Sequence, residues 1–350
     1  MCADSRPGVR VIRRTGFNEA GTITERQSDI RRAALIRDNS FNKGYNMKIR
    51  ILKTIEGAKE AEGLTVMIDA FRAFSLECYL FAAGARRIYP VKDLEEARAA
   101  ADVHPGCILV GEEGDAKAEG CLYGDSPWQT GAGQVAGRCY DGKPDIFTED
   151  NILDGLAVGP EGPFYPRRHK GFDGTPGCAA VPGLFAGKDI IHLTGTASSG
   201  ILAAEAAGAD EIIAAGLVNA EAAAKYALIR NPQSLSLVAL GKGGLENAKE
   251  DTLCAKYIES LLTGETIMGE DVLPKIFRTR IFTSDKIQLI ADALLTDDGK
   301  EFFNPDPEWQ EVYPREDFFL CTACDLFDFI IRIRRDEKGI LYAEPASVSM

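Results

Sequence analysis

The chain has 350 residues, 45% of them apolar and 27% charged, with 53 acidic against 40 basic side chains and a net charge of −13. That length buries a full core as one large domain or two smaller ones, and the composition is that of an ordinary globular protein. The acidic balance argues against a nucleic-acid binder, which would show a basic stripe, and no stretch approaches the roughly 20 apolar residues of a membrane helix.

Along the chain, residues 1–46 are rich in arginine but have no apolar core of a secretory signal and little periodicity. They read as a disordered N-terminal extension, with the folded unit, residues 47–350, beginning at Met47. From there short apolar runs alternate with alanine-rich stretches. Residues 66–68, 88–90, 108–110, 190–193, 212–214 and 235–240 read as strands buried on both faces. Ser75 and Ser199 stand where helix N-caps belong, and Gly84 and Gly208 at the matching C-caps. Asp93 with Glu96 three residues later resembles a capping box.

Residues 128–185 differ. They hold six of the chain's 16 prolines and read as a long loop inserted between two α/β segments. Gly131, Gly133 and Gly137 miss the spacing of a dinucleotide fingerprint. Arg167-Arg168-His169-Lys170 is a basic cluster, either a solvated loop or a lid carrying positive charge to an anionic ligand. Residues 247–262 read as an amphipathic helix with Leu253, Tyr257 and Leu261 on its apolar stripe. Residues 326–333 read as a final strand. The nine cysteines are odd in number and lack a framework spacing, which suits reduced thiols and a cytoplasmic setting. Cys321 and Cys324 form a lone CxxC; a zinc site needs a second pair, and only three histidines are available.

The segment from Val66 to Ile88 repeats 124 positions later as Ile190 to Ile212. Seven of the 23 pairs are identical, among them Ser75/Ser199, Gly84/Gly208 and Ile88/Ile212. A strand–helix–strand–helix–strand unit therefore occurs twice, at about 60–125 and 185–262. Alternating strands and helices predict an α/β fold, a three-layer α/β/α arrangement with a mostly parallel sheet built from two repeated halves. Each half is expected to supply part of one pocket.

In such sheets ligands bind beyond the carboxyl ends of the strands. Asp69 and Glu112 stand there and could hold a divalent cation, with Glu250 and Asp251 completing its shell. Arg72 could fork onto an oxyanion. The hydroxyls of Ser75, Thr194, Ser198 and Ser199 suit phosphate or sulfonate oxygens, and Asn219 occupies a further strand end. Other phosphatase chemistries find no support. Phe71 stands where a D-x-D nucleophile motif needs its second Asp, no cysteine begins a C-x5-R signature, and no Walker A pattern occurs.

At these residues the chain resembles the magnesium-dependent 2-phosphosulfolactate phosphatases. Thr65 to Ser75 is similar to the family's V-x-I-D-x-x-R-A-[FT]-S signature. Gly111-Glu112 resembles its G-E-R with Glu113 in place of Arg, and Gly124-Asp125-Ser126-Pro127 its G-N-S-P with Asp for Asn. Residues 190–200 resemble its I-H-T-T-S-A-G-T-x-G segment, and Val218-Asn219-Ala220, Glu250-Asp251 and Cys254-Ala255 also match. The resemblance implies a Mg2+-dependent phosphomonoesterase acting on a small polyanionic acid, 2-phosphosulfolactate being the reference substrate. It implies catalytic roles for Asp69, Arg72 and Glu112. Ser75, Ser126, Thr194, Ser198, Ser199 and Asn219 would bind substrate, and Asp69, Glu112, Glu250 and Asp251 the metal. The partner expected is a small anionic substrate, not nucleic acid or membrane, and a homo-oligomer is compatible with the sequence. Asp69 is expected as metal ligand or base rather than nucleophile. Two other readings stay open: a hydrolase or lyase on another phosphorylated or sulfonated acid, and a non-catalytic metabolite-binding protein on the same fold.

Overall fold

A computed structural model describes residues 47–114, 116–132, 183–263 and 297–348. The expected N-terminal extension, the basic cluster at 167–170 and most of the inserted loop lie outside these residues. In chain order the elements are β1 (Lys48–Lys53), α1 (Thr54–Ala58), β2 (Gly63–Ile68), α2 (Ala73–Ala82), β3 (Arg87–Val91) and α3 (Leu94–Val103). There follow β4 (Ile108–Glu113), β5 (Ala116–Lys117), β6 (Asp189–Leu193), α4 (Gly195–Ala207), β7 (Ala209–Ala215), a 3-10 turn (Leu217–Asn219), α5 (Ala220–Arg230), β8 (Ser234–Ala239) and α6 (Lys249–Thr263). The last are α7 (Asp297–Glu301), α8 (Pro307–Val312), α9 (Arg315–Cys321), β9 (Phe329–Arg335) and β10 (Leu341–Ser347). No helix among the described residues is long and apolar enough to cross a membrane.

The strands form one sheet in the order β1-β8-β2-β7-β9-β10-β3-β6-β4-β5. The pairings β1–β8, β8–β2, β2–β7, β3–β6 and β6–β4 are parallel. The β9–β10 hairpin and its two flanks are antiparallel. Matching β2 with β6, β3 with β7 and β4 with β8, as the repeat does, makes this order symmetrical about the hairpin. Each half has lent its first strand to the other: β2 sits between β7 and β8, and β6 between β3 and β4.

The strand residues alternate between faces, and the alternation makes three layers. Met67, Ile212, Ala214 and Val238 face α2 and α4. Val66, Ile68, Ile213 and Leu237 face α5 and α6. Ile191 and Leu193 face the side covered by α3. All six strand runs legible in the sequence are strands. The helix expected at 247–262 spans 249–263, with Tyr257 buried and Leu253 and Leu261 half-buried.

Several expectations change. Ser75 and Ser199 lie inside α2 and α4, not at their starts; Arg72 and Thr194 hold the cap positions. β2 and β6 end where their apolar runs end, at Ile68 and Leu193, and the helices begin soon after, at Ala73 and Gly195, before the serine is reached. The glycine caps hold, Gly84 and Gly208 both having φ of +92°. Asp93 accepts from Glu96 N at 2.9 Å, and Glu96 accepts from Lys92 N at 3.0 Å. The strand expected at 326–333 begins at Phe329, and β10 follows it. β1 also goes unsignalled, because Lys48, Arg50 and Lys53 break its apolar pattern.

Candidate active site

β2 ends at Ile68, and the turn after it is held by carboxylates. Asp69 Oδ1 accepts from Ala73 N at 3.2 Å, closing the first turn of α2. Asp251, in the first turn of α6, accepts from Ala70 N at 2.7 Å with one oxygen and from Gly241 N at 2.8 Å with the other. It thereby clamps the loops that follow β2 and β8. Gly241 has φ of +75°, and a Cβ there would stand 2.0 Å from Glu246 O, so only glycine fits.

Arg72 is the hub. Its side chain is 2% exposed. Nη1 donates to Val312 O at 2.7 Å and to Asp317 Oδ2 at 2.9 Å, and Nη2 donates to Glu112 Oε1 at 2.6 Å. The guanidinium lies 4.7 Å from the centre of the Tyr313 ring. Glu112 reaches it from the end of β4, beside Gly111. Gly111 has φ of +140°, and a Cβ on it would press on Leu193 O at 2.2 Å. β2 and β4 are six places apart in the sheet. In a flat sheet, at ~4.8 Å per strand, they would be roughly 29 Å apart. The Arg72–Glu112 pair therefore exists because the sheet coils until the two strand ends meet.

A second chain of charges joins this hub. His192, fully buried in β6, contacts Glu77 Oε1 at 2.9 Å through Nδ1 and Asp125 Oδ1 at 3.1 Å through Nε2. Asp125 N in turn donates to Glu112 Oε1 at 3.0 Å. Burial works against the charged imidazole, but Asp125 and Glu77 outweigh it and push His192 up to about 10. Burial, then the charges of Asp251 and Asp125, hold the Asp69 carboxyl well above the usual carboxylate range. Burial likewise lifts Glu112 to about 7 and Asp317 to about 6, against the pull of Arg72.

The predicted residues thus divide. Asp69, Arg72, Glu112 and Asp251 come together, and Glu250 is buried beside Asp251. Three of Arg72's five donors are already spent on protein acceptors, which leaves two for a ligand. Most of the polar side chains expected to bind substrate serve the backbone or the charge network instead. Ser75 Oγ donates to Ala70 O at 2.8 Å, and Ser198 Oγ to Thr194 O at 2.8 Å. Asn219 Oδ1 accepts from Gly216 N at 2.9 Å, tying the turn after β7. Ser126 Oγ donates to Asp317 Oδ1 at 3.0 Å and accepts from Gln129 N. Such short polar side chains bond readily to nearby main chain, and here they hold the turns at the strand ends. Thr194 caps α4 and Ser199 is half-buried within it. Neither hydrogen-bonds to the charge network among the described residues.

Sequence reasoning gave no role to Glu77, His192, Tyr313 and Asp317, and it noted Asp125 only as a departure from a family pattern. His192 and Asp125 both stood inside family-like segments, which was the available signal. Asp317 had none, because its segment carries no motif.

Among the described residues no three His, Cys, Asp or Glu groups form a ready metal cage. Magnesium does not need one; it is commonly held by one or two carboxylates, with waters and substrate phosphate completing its octahedron. The donor chemistry fits it. Asp69 Oδ2 and Asp125 Oδ2 accept no hydrogen bond from a described residue. Burial and then carboxylate repulsion raise Asp69, and the repulsion is what a divalent cation relieves.

Comparison with known proteins places this site in context. The sequence model of the 2-phosphosulpholactate phosphatase family matches residues 50–140 and 167–336, which include Asp69, Arg72, Glu112, Asp125, His192, Asp251 and Asp317. A Bacillus subtilis (strain 168) protein named probable 2-phosphosulfolactate phosphatase is 22% identical over 276 residues, 78% of this chain and 88% of the relative. One of the same name from Cyanothece sp. (strain PCC 7425) is 26% identical over 287 residues, 79% of this chain and 91% of the relative. A third, from Carboxydothermus hydrogenoformans, is 39% identical over 82 residues, 23% of this chain and 34% of the relative.

Proposed function

The chain belongs to the 2-phosphosulpholactate phosphatase family, and on that premise we propose that it hydrolyses a small polyanionic phosphomonoester, 2-phosphosulfolactate first among them, to the free hydroxy acid and phosphate. The observation that carries this reading is the convergence of Asp69, Arg72 and Glu112 from the ends of β2 and β4.

Phosphoryl transfer asks a protein mainly for positioning and for charge where the phosphoryl oxygens gain it. Mg2+, held by Asp69 and Asp125, would supply Lewis acidity to those oxygens. Arg72 keeps two N–H donors after its three protein contacts, and these bind and orient the phosphate. Glu112 keeps Arg72 in place. Asp251 fixes the two loops so that Asp69 meets the substrate from a rigid turn. Asp69 acts as ligand or base rather than nucleophile. The free thiols of Cys78, Cys107, Cys121, Cys254 and Cys321 suit a reducing, cytoplasmic setting.

One observation favours a second reading, a different phosphorylated or sulfonated acid as substrate. Asp125, where the family pattern has Asn, is bound to His192 at the heart of the site. A phosphate-release screen over small phosphoacids, with EDTA and with added Mg2+, tests both. Release from 2-phosphosulfolactate that stops with EDTA and returns with Mg2+ is expected. Release indifferent to chelator removes the metal from the mechanism. A clear preference for another acid selects the second reading, and no release from any phosphomonoester overturns phosphatase chemistry.

A further inference from the structure

Asp317 lies on α9, beyond every sequence pattern that suggested function, yet it is fully buried against Arg72. Its two oxygens do different work. Oδ1 accepts from Ser126 Oγ at 3.0 Å and from Trp128 N at 2.9 Å. Oδ2 accepts from Arg72 Nη1 at 2.9 Å. One carboxylate thus ties three distant segments together: the turn after β2, the loop after β5, and the C-terminal helices.

The neighbouring contacts make this placement rigid. Val312 O, at the end of α8, takes the other Nη1 hydrogen. Tyr313 stacks against the guanidinium, and Phe71, next to Arg72, packs edge-on against Phe302 at 5.1 Å and beside Phe318 at 5.8 Å. With Glu112 on Nη2, the spent donors are both hydrogens of Nη1 and one of Nη2. The two that remain belong to Nε and Nη2, the nitrogens sharing one edge of the guanidinium plane. An edge of this kind grips two oxygens of a phosphate or sulfonate.

We propose that Asp317 is a positioning residue for the phosphatase reaction: from α9 it fixes Arg72 so that the Nε–Nη2 edge is presented to the substrate's anionic group. The C-terminal helices α8 and α9 are then part of the active site. The inference rests on the phosphatase reading above, and its test separates the two.

Asp317→Asn keeps an acceptor for Ser126 and Trp128 but turns a donor towards Arg72. The expected result is a loss of about 100-fold or more in kcat/KM, with KM and the inhibition constant of inorganic phosphate both rising, read at a temperature where the variant, its melting point lowered by the broken buried pair, is still folded by circular dichroism. In an Arg72→Lys background the same substitution should cost only a few-fold, because its route of action is already gone. A second readout does not need turnover. In protein labelled with 15N-arginine, the Arg72 Nε and Nη protons should be resolved in the wild type, and the Nη signals should collapse in Asp317→Asn as the guanidinium gains rotation. Asp317→Glu, which keeps the charge but moves the carboxylate, replaces Asp317→Asn if the latter does not fold. Near-normal kcat/KM in the variant, or equal losses in both backgrounds, overturns the proposal. If the wild type releases no phosphate from any phosphomonoester, the function falls while the arginine spectra still judge Asp317: unchanged Arg72 signals in Asp317→Asn overturn it.

Discussion

The turns after β2 and after β6 hold matching places in the strand order, yet they carry different chemistry. At the repeat offset Asp69 corresponds to Leu193, Arg72 to Thr196, and Ile68 to His192. The first turn holds Asp69 and Arg72 in a network of carboxylates. In the second, Ser198 folds back on Thr194 O and the helix start carries no charge. The second half contributes instead from within its strand, through His192, where the first half has an apolar core residue. The strand and the glycine caps are common to both because packing and backbone geometry require them. The charges are free to diverge, because each needs only a partner that the coiled sheet brings near.

The comparison can be tested by substitution at matched positions. The largest effect is expected at Asp69. Asp69→Asn should lower phosphate release about 10³-fold, with the circular dichroism spectrum unchanged; residual activity near wild type would move the site elsewhere. Arg72→Lys should cost about 10²-fold in kcat/KM, since an ammonium cannot replace the planar donor set. Thr196→Ser, its counterpart, should leave kinetics near wild type. Equal losses at the two positions would mean that both turns bind substrate.

Stability gives the next contrast. His192→Gln strands Glu77 and Asp125 without their cation and should destabilise by about 3–5 kcal/mol near neutral pH. Ile68→Val, at the matching position, should cost about 0.5–1.5 kcal/mol. The sign of the pH dependence follows from His192 being raised to about 10 in the folded protein against an ordinary value near 6.5. Its contribution is fully present below about 6.5 and is lost as pH rises towards 10. Denaturant titrations on metal-free protein should therefore show the gap between wild type and His192→Gln narrowing across that range. A gap that widens would mean the imidazole is neutral in the folded state.

An effect as small as that of Ile68→Val is expected at Gly200, the counterpart of Leu76. A Cβ there would meet Leu240 Cδ2 at 2.3 Å and Met67 Cε at 2.9 Å, both ends of flexible side chains. Gly200→Ala gains about 1 kcal/mol of helix preference and loses about 1–3 to overpacking. A net loss of about 1 kcal/mol is expected, and thermal denaturation should register a drop of a few degrees.

The same contrast explains what could be read from the sequence. Ile190 and Val66 announce strands because burial on both faces demands an unbroken apolar run. Gly84 and Gly208 announce helix ends because their backbone angle excludes other residues. Asp69, Arg72 and Glu112 were legible as a group through their places at strand ends. Ser75, Ser198 and Asn219 had the same credentials, but short polar side chains there satisfy backbone groups as readily as ligands. Asp317 and Asp125 gain meaning only from Arg72 and His192 beside them, and nothing local in the sequence records those neighbours. β1 and α7 to α9 were illegible for a related reason: half-exposed or short, they lack the periodicity that burial imposes.

The exchanged strands have a consequence for the time at which this protein is at risk. β2 is apolar on both faces, and Ile68 pairs with Ala239, 171 positions further along the chain (239 minus 68). At synthesis rates of ~5–20 residues per second, a ribosome takes roughly 9–34 s to make the strand that covers it. Until β7 is made the strand leading to Asp69 has two open edges, and until β8 is made it keeps one, because both of its strand partners belong to the other half. The nascent chain, rather than the finished enzyme, is therefore the form most exposed to aggregation, and its demand for chaperones is greatest before β8 leaves the ribosome.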